Sequence, residues 1–266
     1  MDNNKKLTKE KIAYLSNLFH NPKEATSYRS PYYIFKHVQK EKKYKITLLQ
    51  IKKWLESQDT YTLFKETRTK KNDQSGRLIV EGLGFLDIDV AHMRYPEENK
   101  NYLILVAVDV FSSKTYGELI KNEQSYEIIR ALASIIKQCK KETEVKVSTI
   151  RSDGAFSSKK FKEFLKKHEI NHIIVRSSEH HASIAENKIK FLKKKLYSYL
   201  HQHDTHVWIN IVDQIIKGMN KAVNLKTGFS PDEVTKKTSD LFWWKKYAPF
   251  KKEKKQKPPS KKKKNN

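Results

Sequence analysis

Four acidic residues stand where carboxylates could do chemistry. In the run FLDIDV, residues 85–90, strand alternation puts Phe85, Asp87 and Asp89 on one face and Leu86, Ile88 and Val90 on the other. A carboxylate beside a core is costly unless it is hydrogen-bonded or bound to metal, so metal binding is one reading of this pair. Asp153 follows the strand-like VKVSTIRS and precedes Gly154. It stands just beyond the C-terminal end of a strand, where open sheets present functional groups, although Asp-Gly is also an ordinary turn. Glu186 opens a lysine-rich helical stretch and shares a face with Lys190 and Lys193. That arrangement could hold a cation and guide phosphates toward it, or form two helix-supporting ion pairs worth about 0.2–0.5 kcal/mol each. A neighbouring pair, His180 and His181, lacks metal-ligand spacing and reads as polar loop.

The elements that must position these acids follow from periodicity. Five strands are expected: Gly84–Ala91, Tyr102–Phe111, Lys114–Leu119, Val145–Arg151 and His172–Val175. The first three are separated by short turns and suggest an antiparallel meander, whereas helices at Tyr126–Lys140 and Ser158–Lys167 alternate with the last two. The sum is an α/β fold, a mixed five-stranded sheet flanked by helices. Two further helices are expected at Ile184–Gln202 and Val207–Asn224, and a short one at Ser230, Pro231 and Glu233, which form a capping box with proline in the first turn.

Four regions result: a basic helical N-terminal module (1–69), a linker (70–81), a core (82–236) and a basic C-terminal tail (237–266). In the first, helices are expected at Thr8–Phe19, Tyr32–Glu41 and Leu48–Ser57, the last with a Thr47/Gln50 capping box. Its Lys52 and Lys53 are available to phosphates, so a helix-turn-helix-like DNA module is one reading and a set of ordinary basic helices the other. The segment KETRTKKNDQSGRL, 65–78, is polar and aperiodic.

The chain has 266 residues and a formal charge of +25, which makes a polyanion the leading partner class. Lys245–Asn266 carries 11 Lys and one Glu, so most of the excess charge lies outside the tail. After Phe250 there is too little apolar surface to fold, and disorder is expected, with nuclear import or DNA tethering as roles for the lysines. Cys139 is the only cysteine, which excludes a disulfide framework and fits a reducing compartment. No apolar run approaches the roughly 20 residues of a membrane span, and the start lacks the apolar core of a signal peptide; a soluble, intracellular protein is expected. Seven glycines and no glycine-rich phosphate loop argue against nucleotide hydrolysis.

From Leu86 to Val234 the chain resembles the catalytic core of retroviral and retrotransposon integrases, which has an RNase H-like fold, and within that group the integrases of Polinton or Maverick transposons. The resemblance rests on an ordered set of motifs: LDIDVAHM followed by YLILVAVDVFSSKTYGEL, then TIRSDGAFSSKKFKEFL, then HASIAENKIKFLKKKL, with a distal TGFSPDEV and an upstream QDTYTLFKE. It implies Asp89, Asp153 and Glu186 as the catalytic and metal-binding triad, with Asp87 as the alternative first acid and Asp109 as a structural acid. Glu186 follows Asp153 by 33 residues, a few fewer than the usual retroviral interval. Leu86, Asn187 and Ile189 stand where Trp, Arg and Asn are common in the family.

The resemblance further implies two Mg²⁺ or Mn²⁺ ions, since three converging carboxylates repel one another until cations neutralise them. The implied partner is double-stranded DNA, both element ends and target, bound by a homo-oligomer in the nucleus, with no membrane association. The implied reaction is 3′-end processing by water followed by strand transfer. Lys190 and Lys193 are the foremost DNA-contact candidates; Lys188 and Lys194 are candidates that could instead face solvent. The match does not extend to a His-His-Cys-Cys zinc module: Cys139 lies in the core, and His20 and His37 have no cysteine partners. Two other readings stay open, a non-catalytic DNA-binding derivative and an RNase H-like nuclease that cuts without joining.

Overall fold

A computed structural model describes residues 7–65, 78–93, 102–175 and 184–256, with side chains to Tyr247. The N-terminal region forms α1 (Lys9–His20), α2 (Pro31–Glu41), α3 (Leu48–Glu56) and a short α4 (Asp59–Leu63). Each of the first three starts at a hydroxyl cap, Thr8, Ser30 or Thr47, and the Thr47/Gln50 capping box is complete. Their apolar faces close a core of Leu15, Phe19, Ile34, Val38, Ile51 and Leu55.

The core sheet contains β1 (Phe85–Ala91), β2 (Leu103–Asp109), β3 (Thr115–Ile120), β4 (Thr149–Ser152) and β5 (Asn171–Ile174), in the order β3-β2-β1-β4-β5. The first three pair antiparallel, and β4 joins β1, and β5 joins β4, in parallel. This is the expected mixed sheet. It puts β1 in the middle and sends the ends of β1 and β4 the same way.

Alternation along the strands divides the core in two. Leu86, Ile88, Leu105 and Ala107 face α5 (Ser125–Thr143) and α6 (Lys159–Lys167), with Cys139 buried among them. Ala91, Ile104, Val106 and Val108 face α7 (Ile184–Gln202) and α8 (Val212–Lys221). Asp87 and Asp89 share the register of Ala91, so they stand on the α7 side. Gly84, at φ +95°, starts β1 where a Cβ would meet the Lys146 carbonyl oxygen at 2.5 Å.

Three sequence expectations are corrected. Val207–Asn224 is not one helix: a 3₁₀ turn, Ile209–Ile211, precedes α8, which ends before Ala222. Trp208 is wedged into the α7–α8 core, while Asn220 binds both Thr115 N–H and Thr115 C=O, like an added rung beside β3. The fourth strand begins at Thr149 rather than Val145, because pairing with β1 opens with Gly84 C=O accepting from Ser148 and Thr149. The basic tail expected from residue 237, with disorder after Phe250, opens instead with a helix: α9 spans Ser239–Gln256, and its Phe242 and Tyr247 are buried against Val80, Val110, Phe111 and Val234. The aromatics of LFWWKKY supply apolar surface that the lysine count obscures. Residues 257–266, most of the linker (66–77), and His180 and His181 lie outside the described residues.

The N-terminal helices are seated on α7 and α8. Buried Lys195 donates to the Ser27 carbonyl, Tyr28 Oη donates to Gln202 Oε1 at 2.6 Å, and His20 Nδ1 lies 2.7 Å from the same oxygen. A Cβ on Gly218 would meet the Pro22 carbonyl oxygen at 2.5 Å, so the α1–α2 connection rides directly on α8.

Candidate active site

Asp87 and Asp89 are neighbours on one strand face with opposite circumstances. Asp87 is buried, and parallel pairing sets it in register with Arg151 of β4. Arg151 Nε and Nη2 donate to its two oxygens at 2.9 and 3.0 Å, and Ala185 N–H, in the first turn of α7, donates to Oδ2 at 2.9 Å. Such forked pairing suits guanidinium and carboxylate geometry, and an anion at a helix N-terminus is favoured. Asp87 therefore clamps β1, β4 and α7 together.

Asp89 is half-buried and, among the described residues, accepts a single hydrogen bond, from Val90 N–H at 2.8 Å. Its carboxyl is pushed above the usual range, chiefly by burial and further by the charges of Asp153, Asp87 and Glu186, with the Val90 amide opposing. Asp153 and Glu186 therefore both bear on Asp89 electrostatically, although the three acids come from separated segments.

Asp153 is exposed beyond β4 and caps the 3₁₀ turn Gly154–Phe156, its Oδ1 accepting from Ala155 N–H at 3.0 Å. Buried Ser152 beside it is 2.9 Å from His172 Nε2 of β5, which steadies the strand end. Glu186 lies in the first turn of α7, with Oε1 2.6 Å from Lys190 Nζ. Lys193 is half-buried one turn further along.

The donor set consists of carboxylate oxygens, the chemistry that Mg²⁺ and Mn²⁺ prefer. Among the described residues one oxygen of each acid is engaged, by Val90, Ala155 and Lys190 respectively. Among the described residues no three Asp, Glu, His or Cys side chains are close enough to form a metal cage. Glu186 is paired with Lys190 instead. A cation would also offset the repulsion that raises the Asp89 carboxyl.

The four candidate lysines separate. Lys190 belongs to the Glu186 face, whereas Lys188 and Lys194 line a cavity that also contains Arg29 and Lys246. Asp109 is fully buried and accepts from Gly84 N–H, Ser112 N–H and the Ser112 hydroxyl, closing the turn after β2. Sequence reasoning missed Arg151. The signal was an Arg in an otherwise apolar and small-polar strand, but its meaning depends on the β1–β4 register.

The mixed sheet, its order and its flanking helices are those of the RNase H-like integrase core fold. Residues 83–179 match the family model of the integrase core domain, a segment that contains Asp89 and Asp153 and stops before Glu186. A putative uncharacterized transposon-derived protein of Caenorhabditis elegans is 28% identical over 144 residues, covering 53% of this chain and 49% of that protein. The chain thus spans about half the length of this curated relative. A chain of the simian T-cell lymphotropic virus intasome, solved in complex with the PP2A regulatory subunit B56 gamma, superposes with a TM-score of 0.53 at 20% identity, over 77% of this chain and 74% of that one. The HTLV-2 integrase catalytic core domain, solved in complex with magnesium, aligns at 24% identity with a TM-score of 0.46, over 56% of this chain and 94% of that one. Residues 83–179 thus form an integrase-like core.

Proposed function

We propose that this chain is an integrase or transposase that processes the 3′ ends of element DNA and joins them to target DNA, with Asp89, Asp153 and Glu186 as catalytic acids holding two Mg²⁺ or Mn²⁺ ions. The observation that carries the reading is the electrostatic convergence of Asp153 and Glu186 on half-buried Asp89. Asp89 is preferred to Asp87 because Asp87 spends both oxygens on Arg151 and the α7 amide. Bound metal would activate the attacking oxygen and stabilise the leaving one. The protein's own part is to fix the acids at the ends of two parallel strands and the start of one helix. Lys190, released from Glu186, would then pair with a DNA phosphate, and Lys193 would extend that contact by one turn.

A homo-oligomer on DNA follows from the same reading, since two element ends must be held together. Origin in a Polinton-like element is proposed on the ordered motifs from LDIDVAHM to TGFSPDEV. Nuclear localisation is proposed on the terminal lysine run, and a fluorescent fusion truncated after Gln256 should lose nuclear enrichment.

The decisive assay incubates the purified chain with cognate element-end DNA, a target and Mg²⁺ or Mn²⁺. Joined product is expected, and Asp153→Asn should abolish it while retaining DNA affinity. Equal joining by that variant overturns the assignment of the acids. Cleavage without joining by the unaltered chain replaces it with a nuclease, and binding without chemistry with a non-catalytic DNA-binding protein.

A further inference from the structure

On the side of α7 away from Glu186 lies a cavity of about 540 Å³, walled by the N-terminal helices, α7, the end of α8 and α9. Lys188 is two residues from Glu186, a rotation of roughly 200° around a helix, so it points away from the acidic centre. Four cations line the cavity, Arg29, Lys188, Lys194 and Lys246, and among the described residues no Asp or Glu does. Ser30, Ser112, Ser113 and Thr227 add hydroxyls.

Three of these cations are built in, not splayed into solvent. The Arg29 guanidinium stacks on the Tyr33 ring at 4.2 Å and faces Phe191 at 5.1 Å, and its buried Nε has no hydrogen-bond partner among the described residues. Lys246 is held by the Val110 and Phe111 carbonyls, 3.1 and 2.5 Å away. Lys188 is half-buried on the same wall, and burial brings the Lys246 ammonium down to about 8 against the pull of Asp109. Asp109 itself is committed to Gly84 and Ser112. Like charges sharing a desolvated wall, with an unused guanidinium donor among them, call for an anion of several charges.

We propose that this cavity binds a phosphate-bearing polyanion, with the Arg29 guanidinium and the Lys188 ammonium as its main ligands. Two sources share that chemistry: a free polyphosphate, or successive phosphates of a nucleic-acid strand. The site does not depend on the acid triad or on joining activity. Occupancy would cross-link Arg29 of the N-terminal region, α7 and α9.

The test is titration calorimetry of the full chain with tripolyphosphate at about 150 mM salt, where long-range charge effects are screened beyond about 8 Å. One-to-one binding is expected, weakened at least tenfold by Lys188→Met and by Arg29→Gln. The double variant Lys166→Gln/Lys167→Gln, on the exposed side of α6, should bind like the unaltered chain, as should Asp153→Asn. Lys188→Met removes a desolvated charge and should fold, and a melting curve checks that it does. Displacement of tripolyphosphate by an oligothymidylate would identify strand phosphates as the source; failure to displace it would identify a free polyphosphate. Binding that Lys188→Met and Arg29→Gln leave unchanged, that the α6 variant weakens equally, or that is absent altogether, overturns the proposal.

Discussion

Helix α7 separates two charged regions that differ in how their charges are compensated. On the sheet side, the negative centre is framed by an acid already neutralised: Asp87 is paired with Arg151 and the α7 N-terminus, while Asp89, Asp153 and Glu186 each keep one oxygen unengaged by the described residues. On the other side Arg29, Lys188 and Lys246 crowd a cavity that no described carboxylate lines. A buried charge that has its partner within the chain serves the fold. One that is desolvated beside charges of its own sign is available to something from outside. The comparison explains why two aspartates two residues apart receive different roles, and why the lysines of one helix do not act as one group.

The largest expected effect that would break this comparison is in catalysis. Asp89→Asn should abolish joining in a gel-based strand-transfer assay with little change in the unfolding midpoint. Asp87→Asn should instead lower that midpoint. Joining that survives Asp89→Asn in a folded protein would mean that Asp87 is the working acid.

Next comes the clamp. Arg151→Met removes the guanidinium from buried Asp87, and breaking such a pair costs about 3–5 kcal/mol. Urea unfolding should show that loss, and the double change Asp87→Leu/Arg151→Met should recover much of it. A loss under about 1 kcal/mol would show that the pair is not a structural centre.

A smaller effect of opposite sign is expected across the helix. Because the Lys188 ammonium is lowered to about 8, its charged form is penalised in the folded state at neutral pH. The penalty is present in full below about pH 8 and is relieved as pH rises toward the unfolded value of about 10.4, where the unfolded chain binds more protons. Lys188→Met should therefore raise stability at pH 7, by about 1 kcal/mol after solvent screening is allowed for, and the gain should shrink by pH 9.5. Melting curves at the two pH values in anion-free buffer decide it. The smallest effect is Lys190→Gln, which removes an exposed i,i+4 pair worth about 0.2–0.5 kcal/mol yet should weaken element-end DNA binding in fluorescence anisotropy.

Much of the architecture was legible because its signals are local. The alternation of FLDIDV, the Thr47/Gln50 box and the apolar spacing of 184–202 each depend on residues within a turn or two, and β1, α3 and α7 form at or within a residue of the expected bounds. The break before α8 was not legible, since Trp208 and Asn220 act through contacts with α7 and β3. Nor was α9, where lysine-dominated composition hid Phe242 and Tyr247, whose burial depends on Val80 and Phe111 arriving from elsewhere.

The sequence by itself determined the strand and helix order, the excess of positive charge and the short list of acids, because side-chain period and composition are properties of neighbouring residues. Only the tertiary structure decided which acid is spent and which is available, because that depends on the β1–β4 register bringing Arg151 to Asp87. It also divided the lysines, because the facing of Lys188 toward Arg29 and Lys246 exists only once the N-terminal helices and α9 close around α7.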